Sequence, residues 1–406
     1  MNLQMTGEKS AKGTPVVDMW DPPMPDPNKS GAGFPVLNNA EHTKIYHATR
    51  EKGGFSHHAR LLIHDGVFYA MWSNHPHGED SPGQFVRFSV SKDGKTWSNP
   101  QRLFPPYGTF DVYRALGPFG TAAEWLVHEG AVYGIMVLDN KTGFANTDRS
   151  SVQPTRDKQH IFPVRQPIAT VARSVDATKE EAALGPIVRL PNLTGQELDA
   201  KQPLTEQLIP PDEERRQTAE ALTRLLQQRR PWRKLKALDS PRPVEPTFYR
   251  TADGKRACLM RDDAYSHRMY VSISEDVENW PLAQPTNIPD SPSLSDTVAL
   301  DDGTVLLIGN QVAPQFDNWD EVTHYKRDPL TVAVSPDGYR FTHVFALRAG
   351  APEHHVPDVG GRGRGAQYPN ALVHDDRLYV LYSMGKEDIW ISSVPLAQLL
   401  HGKKAQ

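Results

Sequence analysis

The chain has 406 residues, 38% of them hydrophobic, with a mean hydropathy of -0.56. That length can bury a sizeable core, and no apolar run is long enough to span a bilayer as a helix. Lys plus Arg total 45 against 49 Asp plus Glu, a net charge of -4 with neutral His, and no block of like charge marks a patch for nucleic acid or lipid, so neither is expected as a partner.

Met1 to Pro15 is polar and shows no apolar core of a secretory signal. A phrase then recurs along the chain: an acidic or Asp-Gly turn followed by a short run rich in β-formers. It stands at His64-Asp65-Gly66, His128-Glu129-Gly130, Asp253-Gly254, Asp302-Gly303 and Asp375-Asp376. Such turns supply the positive φ of tight hairpins, so each phrase predicts two adjacent antiparallel strands. A second phrase lies downstream of three of them, at Ser91 to Trp97, Ser274 to Trp280 and Ser335 to Phe341. In each, a short polar side chain can bond its own backbone while the closing aromatic packs between strands.

Many short strands with one aromatic motif per hairpin predict an all-β fold, a β-propeller built as a single domain over residues 1–406. Blades of about 50 residues imply a seven-bladed β-propeller, with six blades as the alternative. The last blade should be closed by pairing Ile389 to Val394 with an N-terminal strand near Thr43 to Ala48, which removes open sheet edges. Cys258, the one cysteine, lies in an apolar run and reads as a buried, inert thiol. Residues 193–242 break the pattern. Asp212 to Arg230 has helical spacing, with Asp212 as its cap, and predicts an inserted helix on the outside or rim that could be deleted without unfolding the propeller.

The densest polar stretch is Phe55 to Arg60 with Trp72 to Asp80, where His57, His58, His75 and His77 join Glu79 and Asp80. Neighbouring ends of an antiparallel pair bring these together. Proton transfer, zinc binding and a structural hydrogen-bonded cluster all fit, zinc less well because no His-x-x-x-His helix or cysteine pair accompanies it. Adjacent strand residues point to opposite faces, so only one of His57 and His58 should aim at a substrate. Glu245, Arg261, Arg327 and Tyr368 lie at strand ends far apart in sequence, as a central propeller site requires, and Asn310 is a further substrate-binding candidate.

The Ser91, Ser274 and Ser335 phrases resemble the Asp-box of sialidases and related propellers, one residue shorter. The order Glu245, Arg261, Arg327, Tyr368 is similar to the second half of sialidase-like propellers. That resemblance implies two arginines clamping a substrate carboxylate and a Glu–Tyr pair attacking the sugar. Where sialidases have their first arginine, this chain has His57-His58-Ala59, which is similar to ulvan lyases, rhamnosyl-glucuronate lyases and rhamnosidase relatives. Those relatives imply action at uronic acid–rhamnose linkages, a secreted or periplasmic home and a structural calcium in some members, with no cofactor required. The expected function is β-elimination of an acidic oligo- or polysaccharide: Arg261 and Arg327 on the carboxylate, a histidine as base, and Tyr368 or a second histidine as acid. An exo-glycosidase using Glu245, Glu79 or Asp80, and a non-catalytic carbohydrate-binding propeller, are the alternatives.

Overall fold

The computed structural model describes residues 3–10, 12–26, 28–111, 115–147, 160–179, 181–191, 212–229, 235–240, 243–263, 266–276, 279–312, 327–361 and 363–400. A short hairpin, β1 (Met5–Lys9) and β2 (Pro15–Val17), and the strand β3 (Glu41–Tyr46) precede the repeats. The first sheet is β4 (Phe55–His64), β5 (Val67–His75), β6 (Phe85–Ser91) and β7 (Gln101–Phe104). The second is β8 (Gly117–His128), β9 (Ala131–Thr147), β10 (His160–Asp176) and β11 (Ala183–Leu190). The third holds β12 (Pro243–Arg250), β13 (Arg256–Asp262), β14 (Arg268–Ser274) and β15 (Gln284–Pro289), with β2 added in parallel to β15. The fourth is β16 (Asp296–Ala299), β17 (Val305–Gly309), β18 (Leu330–Ser335) and β19 (His343–Arg348). The fifth joins β20 (Ala366–His374), β21 (Arg377–Met384) and β22 (Asp388–Pro395) to β3.

First strands line the centre: β4 lies against β20 and β8, and β16 against β12 and β20. This is a propeller-like arrangement, and Ile389 pairs with Tyr46 and Ile391 with Thr43, so both chain ends build the last sheet as their patterns predict. Each of the five recurring turns joins the first two strands of one sheet. The described residues thus form five sheets, where repeat length predicted seven or six. Dividing by about 50 residues per blade overcounts, because β9 and β10 run to 17 residues each and the 193–242 segment adds no sheet among its described residues.

The Ser/Asp phrases all link third to fourth strands. Ser91 Oγ accepts from Gly94 N–H at 2.9 Å, and Asp93 Oδ1 accepts from Lys95 and Thr96 N–H at 2.8 and 2.7 Å. Ser335 with Asp337 repeats this, Gly338 and Tyr339 donating at 2.8 Å each. Cys258 is fully buried, and burial pushes its thiol well up.

The predicted helix is present. Asp212 caps a short 3-10 turn through Glu214 N–H, and α1 (Arg216–Arg229) follows; residues 193–211 and 230–234 lie outside the described residues. The helix lies against one face of the second sheet. Four junctions pack sheet on sheet, whereas the second sheet's other face is covered by Ala219, Leu222 and Leu226 of α1, set on Ala123, Leu126, Ile135, Ala172 and Val188. The helix occupies the place of a neighbouring sheet, so deleting it would uncover that apolar face. Among the described residues no helix is long and apolar enough to cross a membrane.

Candidate functional site

Three central strands carry the same irregularity. In β4, His57 pairs with Ser73 and Arg60 with Met71, so His58 and Ala59 oppose Trp72 alone. In β12, Glu245 and Pro246 lie between the pairs Val244–Arg261 and Thr247–Leu259; in β20, Tyr368 and Pro369 lie between Gln367–Ser383 and Asn370–Leu381. Each is a bulge of two residues against one, and its first residue has positive φ: His58 55°, Glu245 52°, Tyr368 56°. Side-chain residues rarely adopt this region, and at bulges it re-aims a side chain out of the strand's alternation. Three different chemical groups are thereby turned toward one place at the same end of the sheets.

Tyr368 is its centre. Its hydroxyl donates to Glu245 Oε1 at 2.7 Å, and Glu245 Oε2 lies 3.1 Å from Arg261 Nε. Arg261, Arg327 and Lys386 stand 5.9, 5.3 and 5.8 Å from the ring centroid, within cation–π range. Both arginines are anchored on the Pro292 carbonyl, at 3.2 and 2.9 Å, and Arg327 also donates to Gln367 Oε1. Burial pushes the Tyr368 phenol far up against the lowering effect of the arginines.

The His57 ring lies 4.0 Å from the Tyr368 ring and 4.6 Å from that of His58. The Nδ1 atoms of His57 and His58 sit on Ser383 Oγ at 2.7 Å and Ser73 Oγ at 3.2 Å, and both Nε2 atoms face Glu79 Oε1, at 3.9 and 3.7 Å. The expectation that only one could face the site is therefore corrected: the bulge breaks the alternation. Burial, then the nearby cations, push His57 well down, and burial takes His58 to about 3 despite Glu79. Both rings are neutral at ordinary pH. Burial would raise the Glu79 carboxyl, but the Lys386 ammonium, 2.6 Å away, outweighs it with the help of Arg165 and holds Glu79 down. Asp80 is pushed up by burial although Arg165 pairs with it.

His75, His77 and Asn310 do not join this cluster. His75 donates from Nε2 to the Pro82 carbonyl at 3.0 Å and accepts at Nδ1 from His77 and Gly78 N–H at 3.0 and 3.2 Å, so both nitrogens are spent on a turn. His77 packs edge-on against His75 with centroids 5.7 Å apart. The Asn310 amide donates to the carbonyls of Pro329 and Ala366 at 3.1 and 3.0 Å, a backbone brace. Lys386 and Arg165 are the site residues that sequence reasoning missed. Lys386 occupies an ordinary hairpin turn, Gly385 to Glu387, and its only mark is a positive φ of 55° that sequence does not display. Groups of three or more metal-capable side chains are two among the described residues, His57–His58–Glu79 and His47–His355–Asp388. Both are nitrogen-rich, which does not fit the all-oxygen set that calcium takes.

Residues 203–380 match the BNR repeat-like domain family, and residues 36–130 match a BT_1020-like N-terminal β-propeller. No curated protein matches the chain. Among solved structures, one titled a sialidase superposes with TM-score 0.62 at 20% identity, over 93% of this chain and 35% of that one. A protein of unknown function from Dyadobacter fermentans gives 0.53 at 13% identity, over 88% of this chain and all of that one. Trypanosoma rangeli sialidase in complex with the inhibitor DANA gives 0.50 at 12%, over 98% of this chain and 60% of that one. The chain thus spans about a third of the first sialidase's length, and at these identities the likeness is one of fold. In fold, the chain is similar to sialidase-like β-propellers, and a part of it matches the BNR repeat-like family.

Proposed function

We propose that the chain is a glycoside hydrolase acting on a sugar that carries a carboxylate, within an acidic oligo- or polysaccharide. Tyr368 is the nucleophile, Glu245 takes its proton, and Arg261 and Arg327 hold the carboxylate. The supporting observation is the 2.7 Å bond from Tyr368 to Glu245 beneath two guanidiniums. Because its phenol is pushed up, Tyr368 is protonated at rest, and the proton moves to Glu245 as the phenol oxygen bonds to the anomeric carbon. A neutral phenol approaches an anionic sugar without the repulsion that a carboxylate nucleophile would meet. Asp80, pushed up by burial, is suited to protonate the departing oxygen, whereas Glu79 is held ionised by Lys386. Water then releases the sugar from Tyr368 and restores both protons.

Aryl glycosides of uronic and ulosonic acids test this directly. Turnover of one of them should fall by about 10²-fold or more in Tyr368→Phe, since the nucleophile is lost, and a fluorinated analogue should leave a sugar adduct on the peptide bearing Tyr368. Full activity in that variant overturns the reading. A second reading, β-elimination at a uronate, is favoured by the neutral His57 and His58 beside Tyr368. Ultraviolet absorbance from an unsaturated uronate product would select it, and glycan binding without turnover would select a non-catalytic propeller.

A further inference from the structure

We propose that His57, His58 and Glu79 form a binding site for a divalent transition-metal ion of the zinc class. The argument begins with hydrogen bonds. Ser383 Oγ lies 2.7 Å from His57 Nδ1 and 3.4 Å from the Gln367 carbonyl; with its hydroxyl hydrogen on that carbonyl, His57 Nδ1 is the donor and Nε2 carries a lone pair. That Nε2 is fully buried and has no hydrogen-bond partner. It lies 3.9 Å from an oxygen of the partly exposed Glu79 carboxylate, a gap in which a cation would meet a lone pair from each side. His58 brings a third ligand atom, its Nε2 3.7 Å from the same oxygen, and its Nδ1 is on Ser73, whose oxygen also accepts from Ala122 N–H.

The distances suit a small ion. Two ligands about 2.1 Å from a tetrahedral ion are about 3.4 Å apart, so the 3.9 and 3.7 Å gaps from the rings to Glu79 Oε1 must close by roughly half an ångström or less. Two neutral imidazoles and one carboxylate match zinc and its neighbours and not magnesium or calcium. The serine contacts to both Nδ1 atoms are the outer partners that fix ring orientation in such sites. Lys386 on Glu79 Oε2 opposes the ion's charge but leaves Oε1 turned to the rings.

The other cluster lacks these features. His355 places Nδ1 3.0 Å from Glu387 and Nε2 3.0 Å from the Ala48 carbonyl, while Lys44 already stands 3.0 Å from Asp388. Both nitrogens of His355 are thus occupied. The assignment does not depend on which reaction the chain performs.

The test is zinc binding by the full chain, stripped of metal with a chelator, measured against a chromophoric competitor and by the visible spectrum of the cobalt(II) form. One equivalent should bind to the unaltered chain and raise its melting temperature. His58→Ala and the near-isosteric Glu79→Gln should each weaken binding by about 100-fold or more, with melting curves confirming that the metal-free variants fold. His47→Ala with His355→Ala should leave it unchanged. The proposal is overturned if the unaltered chain binds no zinc at micromolar concentration, or if binding survives His58→Ala and Glu79→Gln but is lost in the His47/His355 double variant.

Discussion

His57 and His58 keep their Nδ1 atoms on serine hydroxyls and direct Nε2 at a carboxylate, whereas His75, on the next strand, has both ring nitrogens on the backbone. The two regions lie within one hairpin and use the same side chain for opposite ends. Where β5 ends and the chain turns, the N–H groups of His77 and Gly78 and the carbonyl of Pro82 have no ladder partner, and buried backbone groups must find one. At the β4 bulge the side chains are re-aimed and meet other side chains instead. The chemistry available to a histidine here is thus set by what its neighbouring backbone lacks.

The largest effect should separate the pairs by activity. His57→Ala and His58→Ala should each lower kcat/KM on a carboxylated glycoside by about 10²- to 10⁴-fold, the range of a lost proton-transfer or charge-stabilising group. His77→Ala should leave kcat/KM unchanged, because that ring meets His75 and no residue of the Tyr368 cluster is described against it. Equal losses at His58 and His77 would show that the turn itself touches substrate and would erase the distinction.

Stability should separate them the other way. His75→Ala leaves the N–H groups of His77 and Gly78 without their acceptor and the Pro82 carbonyl with Asp111 N–H alone, a cost of about 1–3 kcal/mol. The shift in denaturant midpoint measures it. His57→Ala removes one hydroxyl contact, and Ser383 retains the Gln367 carbonyl, so its midpoint should move less. A larger shift for His57 would mean that the site is built for stability first.

Much of this architecture was legible in sequence, and the failures have physical causes. The five recurring acidic or Asp-Gly turns match the five sheets of the described residues, one per first hairpin, because positive φ at a tight turn restricts residue choice. Length divided by repeat gives more blades than the five sheets of the described residues, in which strand length varies and α1 covers one sheet face. Asp212 and the spacing of Leu222 and Leu226 revealed the helix, but its packing partner lies about a hundred residues earlier in β8 and β9, beyond any local signal. Glu245, Arg261, Arg327 and Tyr368 converge because each stands at the same end of a repeat, which sequence order shows. The bulges do not announce themselves, although Glu245-Pro246 and Tyr368-Pro369 share a proline that cannot continue a ladder.

The smallest effect tests the protonation state on which the contrast rests. His75 Nδ1 accepts two N–H bonds, so the ring must be neutral, and burial pushes it down to about 4 from an ordinary value of 6.5. A base whose folded value is depressed binds fewer protons folded than unfolded, so stability is present above 6.5 and is lost as pH falls toward the folded value. From pH 7 to 5.5 that loss is about 1 kcal/mol. Other histidines held down by desolvation, half-buried His42 among them at about 4, add to the slope of the unaltered chain, so the informative quantity is the stability difference between that chain and His75→Gln. Glutamine does not titrate, and the difference should shrink by about 1 kcal/mol over this interval in urea midpoints taken at both pH values. A difference independent of pH would mean that His75 is not held as a neutral acceptor, and the turn would then need another account of its three backbone bonds.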